Sequence, residues 1–325
     1  MIRYFNYASD NRYKGPVSYL GALQRSFVQD AGSGMIEVRY AAGNAIIFLY
    51  NNGKLIKIYH LAGLCSLSIV PGELQALLVG DNLDIRTLNL PMHAVRAISC
   101  ALDWFPPNTS LKHNFLSLNR YYAELKASGF SGLIHVSLPD IDGLQFWVDG
   151  SSSSSGAVFS TSKGFVDCLP DPLLSEETSD NAGNIWLYQP LLEGKSWEII
   201  RLSWAVKIFI ARMVIGYQKL VGQITVNALN YDLNAAMRTS HWNMRLVGKE
   251  LVDHHFFSDI DTAQQAYLKL FVHLYHHVVR VVGTNLAQHV LSDAFNELGE
   301  VDQNVLNKYS FNPVMISNIR KESLR

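Results

Sequence analysis

Histidines in the C-terminal third of the chain have the residue type and spacing best suited to chemistry. Seven of the 11 histidines lie between positions 241 and 289, and His273 and His277 are four residues apart. On a helix this spacing puts two imidazoles on one face, where they can bind a metal ion. Asp253-His254-His255 could supply further ligands. His273, His276 and His277 are therefore candidate metal ligands.

The pattern around these histidines also has a second interpretation. A helical wheel collects one apolar side, made of Tyr267, Leu270, Phe271, Leu274, Val278 and Val281. Lys269 and Arg280 fall on the opposite side with His273 and His276. Two fixed cations repel a divalent ion, and this helix carries no nearby carboxylate to offset them. The sequence thus favours a solvated or interfacial basic face and leaves a metal site as the alternative.

Motifs of common catalytic or nucleotide-binding sites are absent from the sequence. It has no GxSxG, HExxH or paired CxxC motif and no GxGxxG after a strand. Gly194-Lys195-Ser196 is similar to the end of a phosphate loop, but Gln189 stands where the first glycine belongs. Asp140, Asp142 and Asp149 fall in predicted turns, where the backbone alone favours aspartate. We therefore expect no enzyme activity and no cofactor.

Composition excludes several classes of protein. With 48% hydrophobic and 17% charged residues the chain is globular, and its net charge of −1 provides no basic field for nucleic acid. Cys65, Cys100 and Cys168 lie far apart in apolar or β-like contexts, which predicts buried free thiols in a reducing compartment. No charged leader precedes an apolar run at the N-terminus, so we expect a cytoplasmic protein.

One pattern occurs twice, about 98 residues apart. Ser33-Gly34 and the alternating strand residues after it return at Ser131-Gly132, and Asn52-Gly53 has a counterpart in Asp149-Gly150. Glycine in such a pair supplies the positive φ of a tight turn. We predict two superposable β units, 20–60 and 119–160. The residues with structural roles in them are Ser33, Gly34, Gly53, Ser131, Gly132 and Gly150.

Alternating apolar residues place the strands of both copies. The first copy has predicted strands at 35–40, 45–50, 54–60 and 83–90, followed by a helix at 93–104. The second has predicted strands at 132–138, 144–149, 157–160 and 184–188. A turn at 140–143 and a mobile hairpin tip at the serine run Ser151–Ser155 separate its first three strands, and a solvated loop is expected at 167–183.

From Trp197 the apolar period becomes helical, and the helix 197–221 is apolar around most of its circumference. A membrane span is disfavoured because Lys207, Arg212 and Lys219 interrupt it. We expect one side of this helix to pack on the β units. The other side should pack on the helices of 261–298 or on a second subunit, so that a homo-oligomer could form through 197–221.

The remaining sequence predicts two more helices. Asp261-Thr262-Ala263-Gln264 resembles a capping box, Gly283 closes the helix that it opens, and 284–298 forms the next. A hairpin or irregular connection is expected at 241–257. The prediction is an α+β fold with tandem β-meander modules at 1–112 and 113–196 and a helical region at 197–325.

The unit of helix, Ser-Gly, apolar strand, Asn/Asp-Gly turn and second strand, at 23–59 and 121–159, resembles the PATAN-type domain of bacterial response regulators. This resemblance implies a tandem pair of protein-interaction modules in signalling. The function expected is a non-enzymatic interaction or scaffold module whose partner is another protein, with no nucleic acid and no membrane involved. The alternative is a small-ligand or metal-binding sensor that uses the histidine-rich helical region.

Overall fold

The computed structural model describes residues 4–6, 8, 10–41, 44–63, 65–78, 83–113, 118–167, 183–190 and 194–316. The chain divides into two compact units, 1–192 and 193–325. The first unit holds two antiparallel sheets with their helices, and the second is mainly helical with one small hairpin. The fold is therefore α+β, as the sequence predicts.

The first sheet has the strand order β1-β6-β2-β3-β4-β5. Its strands are β1 (Asp10–Gly15), β2 (Gly34–Ala41), β3 (Asn44–Asn51), β4 (Lys54–Ala62), β5 (Cys65–Ser68) and β6 (Leu83–Asn89). Helix α1 (Val17–Gln29) leads into β2, and a 3₁₀ turn (Pro71–Glu73) with the short α2 (Leu74–Leu77) precedes β6. Helix α3 (Met92–Asp103) follows β6.

The second sheet repeats this arrangement, with the order β7-β12-β8-β9-β10-β11. Its strands are β7 (Thr109–His113), β8 (Gly132–Leu138), β9 (Ile141–Val148), β10 (Ser151–Thr161), β11 (Gly164–Val166) and β12 (Gly183–Tyr188). Helix α4 (Leu118–Ala127) leads into β8, as α1 leads into β2. The two copies thus have the same strand order, as the repeated sequence predicts.

Helix α3 lies between the two sheets. It contacts β2, β3 and β5 on one side and β8, β9 and β10 on the other, and every residue from Met92 to Leu102 is buried. Because strand side chains alternate between faces, the opposite faces are free for α1, which buries Phe27 on the first sheet, and for α4, which buries Tyr121 on the second. The first unit is therefore layered as α1, sheet, α3, sheet, α4.

Several predictions for the second copy were wrong in detail. Leu138 pairs with Ile141, so the turn is Pro139-Asp140, and Asp142 lies inside β9. Val148 pairs with Ser151, which puts the hairpin tip at Asp149-Gly150 and the serine run inside β10. The positive φ values at Asp149 and Gly150 close the hairpin in two residues, and the serine run falls where the pairing of β10 with β9 shifts register, between Ser152 and Ala157. The predicted loop at 167–183 lies almost entirely outside the described residues.

The cysteine prediction is only partly correct. Cys100 is a buried free thiol in α3, and burial raises its pKa to about 12. Cys65 is free but exposed, since it opens the short edge strand β5. Cys168 lies outside the described residues.

The second unit begins with the long helix α5 (Lys195–Thr239), which is broken at Gly222 by a φ of 77° and a ψ of 174°. Ser203 on the first arm bonds to Asp253, and Asn234 on the second arm bonds to Leu246. Both partners belong to one hairpin, β13 (Met244–Val247) and β14 (Glu250–Asp253). A straight helix would separate Ser203 and Asn234 by about 46 Å. The two arms, 195–221 and 223–239, therefore fold back on one another.

Three further helices complete this unit: α6 (Ile260–Val282), α7 (Thr284–Asn296) and α8 (Glu300–Lys308). Gly283 ends α6 with a φ of 81°, as predicted. The N-cap of α6 is Asp259, whose carboxylate accepts the backbone N–H of Thr262, so the capping box predicted at Asp261 was placed two residues late. The segment predicted as a hairpin or irregular connection is the β13–β14 hairpin.

The first arm of α5 forms the centre of the helical unit's core. The apolar residues that predict its burial, Ile199, Leu202, Val206, Phe209, Ile210, Met213, Val214 and Tyr217, all belong to this core. The rings of Phe209 and Phe271, on α5 and α6, have centroids 4.8 Å apart. Among the described residues, no helix combines the length and the apolar character that crossing a bilayer requires.

Candidate functional site

The six repeated structural residues have equivalent contacts in the two copies. The hydroxyl of Ser33 accepts the backbone N–H of Asn52 at 2.9 Å, and the hydroxyl of Ser131 accepts that of Asp149 at 2.8 Å. In this way the entry of β2 is tied to the β3–β4 turn, and the entry of β8 to the β9–β10 turn. These serines are structural anchors, since each hydroxyl is bonded to the turn that follows the next strand.

Each repeated glycine occupies a place where a side chain would collide. Gly53 has a φ of 74°, which confirms the predicted turn, and a Cβ there would lie 2.8 Å from the carbonyl oxygen of Val28. Gly150, with a φ of 73°, would meet the carbonyl of Lys126 at 2.5 Å. A Cβ on Gly34 or Gly132 would overlap the carbonyl oxygen of the neighbouring strand. The turns therefore pack directly on the helix that precedes them.

The three candidate metal ligands on α6 do not converge. His273 is exposed and His276 half-buried, whereas His277 is buried on the apolar side of the helix. Within residues 194–316, no three histidine, cysteine or carboxylate side chains bring their ligand atoms together. Val281, expected on the apolar side, is 44% exposed. His277 instead joins two helices.

A carboxylate that the sequence did not suggest reaches His277 from the second arm of α5. Asp232 Oδ2 lies 2.9 Å from His277 Nδ1 and accepts a hydrogen bond from Arg280 at 2.8 Å. The hydrogen bond with His277, and then that with Arg280, holds the pKa of Asp232 below its usual value. The ring of Tyr217, on the first arm, has its centroid 6.1 Å from that of His277. His277 therefore links α6 to both arms of α5.

Asp253 was considered above as a further metal ligand, but its carboxylate is hydrogen-bonded inside the core of the helical unit. Its Oδ2 accepts hydrogen bonds from Ser203 and from Tyr267, at 2.8 and 2.5 Å, and its Oδ1 accepts the backbone N–H of His255. None of its surface is exposed. A buried carboxylate with three donors holds its neighbours in place and is not free to bind an ion.

A polar network in the first unit was not foreseen from the sequence. Arg86 on β6 donates to Asp10, at 2.7 Å, and to the backbone carbonyls of Tyr4 and Phe5. Its guanidinium also lies 3.8 Å from the carboxylate of Glu37. Arg86 thereby fixes the segment 4–6 against the first sheet.

The same segment reaches the second sheet. The hydroxyls of Tyr4 and Tyr188 lie 3.1 Å apart, and the backbone N–H of Asn6 donates to Asp142 Oδ2 at 2.9 Å. Asp142 Oδ1 pairs with His135 Nε2 at 2.9 Å, and neither side chain has any exposed surface. This is an acid–base pair by composition, but no substrate can reach it, so its role is to join the two sheets.

A signal for this network was present in the repeat. Glu37 and His135 occupy the same position in the two copies, and both are buried polar residues between apolar neighbours. Glu37 accepts two hydrogen bonds from Arg39, two residues along the same strand, and its 3.8 Å contact is with Arg86, 49 residues away. His135 pairs with Asp142, in a strand that was read as a turn. Spacing along the chain could not identify the contacts with Arg86 and Asp142.

The second arm of α5 carries the most exposed apolar side chain of the described residues. Ile224 exposes 87% of its surface and Tyr231 71%. Ala228, Tyr231 and Ala235 follow Ile224 by four, seven and eleven residues, so all four lie on one face of the helix. Ala228 is exposed and Ala235 is half-buried. Leu220, at the end of the first arm, is 50% exposed. We define Ile224, Ala228, Tyr231 and Ala235 as the apolar stripe.

Most of the apolar stripe has no charged neighbour along the helix. Residues 220–231 contain no acidic or basic side chain, and Asp232, which lies between Tyr231 and Ala235, is paired with His277 and Arg280. Along the helix, Gln218 donates to Gln223, which donates to Asn227, so these amides satisfy one another beside the stripe. An uncharged surface with large apolar side chains is typical of a protein contact.

Comparisons with known proteins found no match to this chain. No protein-family model matches it, and no curated protein or solved structure matches it significantly.

Proposed function

We propose that this protein is a non-enzymatic protein-interaction or scaffold module, and that it binds through the apolar stripe on the second arm of α5. The observation that supports this role is the 87% exposure of Ile224, together with that of Tyr231 seven residues later. Burying such side chains against a partner stabilises a complex by about 1.5–3 kcal/mol each. A role in bacterial signalling or regulation, in the cytoplasm, rests on the resemblance to the PATAN-type domain.

The partner that fits the apolar stripe is a second copy of this chain. A two-fold contact places each residue of the stripe next to the same stripe of the other copy. Because residues 220–231 are uncharged and Asp232 beside them is already paired with Arg280, this pairing brings no unpaired like charges together. The sequence predicted self-association through 197–221, but the apolar residues of 199–217 lie inside the core. The contact proposed here therefore uses the second arm instead. The net charge of −1 also favours a protein partner over nucleic acid.

Non-enzymatic function is supported by the burial of the acid–base pairs. His135 with Asp142 and the Asp253 network are both fully buried, so neither can act on a substrate from solution. Both are instead explained by their contacts in the fold.

Sedimentation velocity of the full chain tests the proposed contact. The wild type should sediment as a dimer, and the double variant Ile224→Asp/Tyr231→Asp as a monomer with unchanged circular dichroism and melting. Val301→Asp is the matched control, because Val301 is 58% exposed on α8 and away from the stripe in sequence. A monomeric wild type, or a double variant that stays dimeric, contradicts the proposal.

A further inference from the structure

A groove in the first unit runs between the first sheet and the end of the second. One part has a volume of about 570 Å³ and the adjoining part about 350 Å³, and the two parts share Asn11, Thr87, Asn89 and Phe165. Sites for small molecules usually have volumes of roughly 300–1,000 Å³. The groove is therefore large enough for a small ligand.

The base of the groove is a row of neutral polar side chains. Asn11 on β1 pairs directly with Thr87 on β6, and Asn89 lies two residues further along the same strand. All three side chains thus project from one face. Within the described part of the chain they make no hydrogen bond to other residues. Among these residues, none uses the side-chain donors and acceptors that a ligand could bind.

Uncharged groups also form most of the rest of the groove. Thr161 and Ser162 come from the β10–β11 turn, and Tyr13, Phe27 and Phe165 supply aromatic rings. Phe165 is held edge-on by Phe5, with ring centroids 5.7 Å apart. Of the described residues, Asp30 is the only charged one that lines either part. Amides and hydroxyls beside aromatic rings, without a cation, suit a neutral ligand rich in hydroxyl groups.

The duplicated copy provides an internal comparison. Thr87 and Leu187 are equivalent, because they pair with the equivalent residues Ile36 and Ile134. Leu187 packs against the core of its module. By the same register, Thr109 replaces Asn11 and Gln189 replaces Asn89. The fold therefore accepts an apolar residue at this position, and the polar row of the first copy is not required for folding.

We propose that this groove binds a neutral mono- or disaccharide, with Asn11, Thr87 and Asn89 bonding to its hydroxyl groups and Phe165 packing on its apolar face. This site is independent of the apolar stripe on α5 and goes beyond the interaction function proposed above. Amide side chains both donate and accept, as a sugar hydroxyl does, so one asparagine can bond to two adjacent hydroxyls.

The experiment uses the full chain and five sugars: glucose, galactose, N-acetylglucosamine, maltose and cellobiose. Saturation-transfer NMR should show transfer to at least one sugar, and calorimetry should give its affinity. The triple variant Asn11→Thr/Thr87→Leu/Asn89→Gln carries the residues of the second copy, so it should fold normally. It should bind that sugar at least about tenfold more weakly, since hydrogen bonds and space are both lost.

Two further probes separate this ligand class from others. Glucose 6-phosphate should bind no better than glucose, because the groove offers no cation and Asp30 repels the phosphate. The neutral peptide acetyl-Ser-Gly-Asn-Ser-amide should not displace the sugar. Absence of transfer to all five sugars, equal binding by the triple variant, tighter binding of the phosphate or displacement by the peptide each overturns the proposal.

Discussion

Asp232 Oδ2 lies 2.9 Å from His277 Nδ1, although the two residues are 45 positions apart in the chain. This contact ties the second arm of α5, which carries the apolar stripe, to α6. Arg280 donates to the same carboxylate oxygen. The surface proposed for binding is therefore fixed by a polar contact that responds to pH.

Replacing Asp232 by Asn should destabilise the protein at neutral pH, by less than about 1 kcal/mol because the side chain is half exposed. A carboxyl whose pKa is lowered on folding stabilises the folded state above its unfolded pKa. That contribution is lost as pH falls through the folded pKa. The difference in urea midpoint between wild type and Asp232→Asn should thus be full at pH 6, begin to shrink below about pH 4 and be lost as the pH falls through the lowered pKa of folded Asp232.

The control for this pair is Asp293→Asn, since Asp293 is exposed on α7 and has no ion pair among the described residues. It should leave the midpoint unchanged at both pH values. An Asp232→Asn midpoint equal to that of the wild type at pH 6 would show that the contact does not stabilise the fold.

Gly53→Ala should lower the free energy of unfolding by about 1–3 kcal/mol, because a Cβ there meets the Val28 carbonyl at 2.8 Å and the φ is 74°. Gly63→Ala is the matched control. Gly63 has a φ of 61° but nothing within 4 Å of its Cβ position, so only the backbone strain remains. Chemical denaturation should give Gly53→Ala the lower free energy of unfolding of the two variants. The opposite ranking would refute the close packing of this turn on α1.

Ile210→Asp should unfold the helical unit, since Ile210 is 1% exposed in the core and an unpaired charge there is costly. Lys219→Asp, on the same arm of α5 but exposed, should melt like the wild type. Circular dichroism and melting curves of both variants decide this. A native melting curve for Ile210→Asp means that this side of the helix is accessible to water.

The repeat made the two similar β modules of the first unit predictable, although not their strands β1, β5, β7 and β11. Ser33-Gly34, Asn52-Gly53 and their counterparts carry local information, because an Asn-Gly or Asp-Gly pair in a tight turn adopts a restricted backbone conformation. The period of apolar residues likewise predicted the buried first arm of α5. Both signals arise from neighbours in sequence.

Turn pairs and apolar periodicity do not predict contacts between residues that are distant in the sequence. The predicted helix ends at 221, next to the break at Gly222, but the sequence does not show that a second arm, 223–239, follows and folds back on the first. Asp232 and His277 meet only because of that reversal. Asp142 was read as a turn residue since aspartate and glycine favour turns locally, whereas pairing with β8 and burial against His135 determine its conformation.

Amide hydrogen exchange at two protein concentrations tests the binding surface most directly. Exchange is measured by mass spectrometry for peptides covering 218–239, with peptides covering α8 (Glu300–Lys308) as the internal reference. If the apolar stripe joins two copies, side-by-side packing should slow exchange in 220–235 at high concentration and leave α8 unchanged. Identical exchange of 220–235 at concentrations well above and well below the dimer midpoint would contradict the proposed contact.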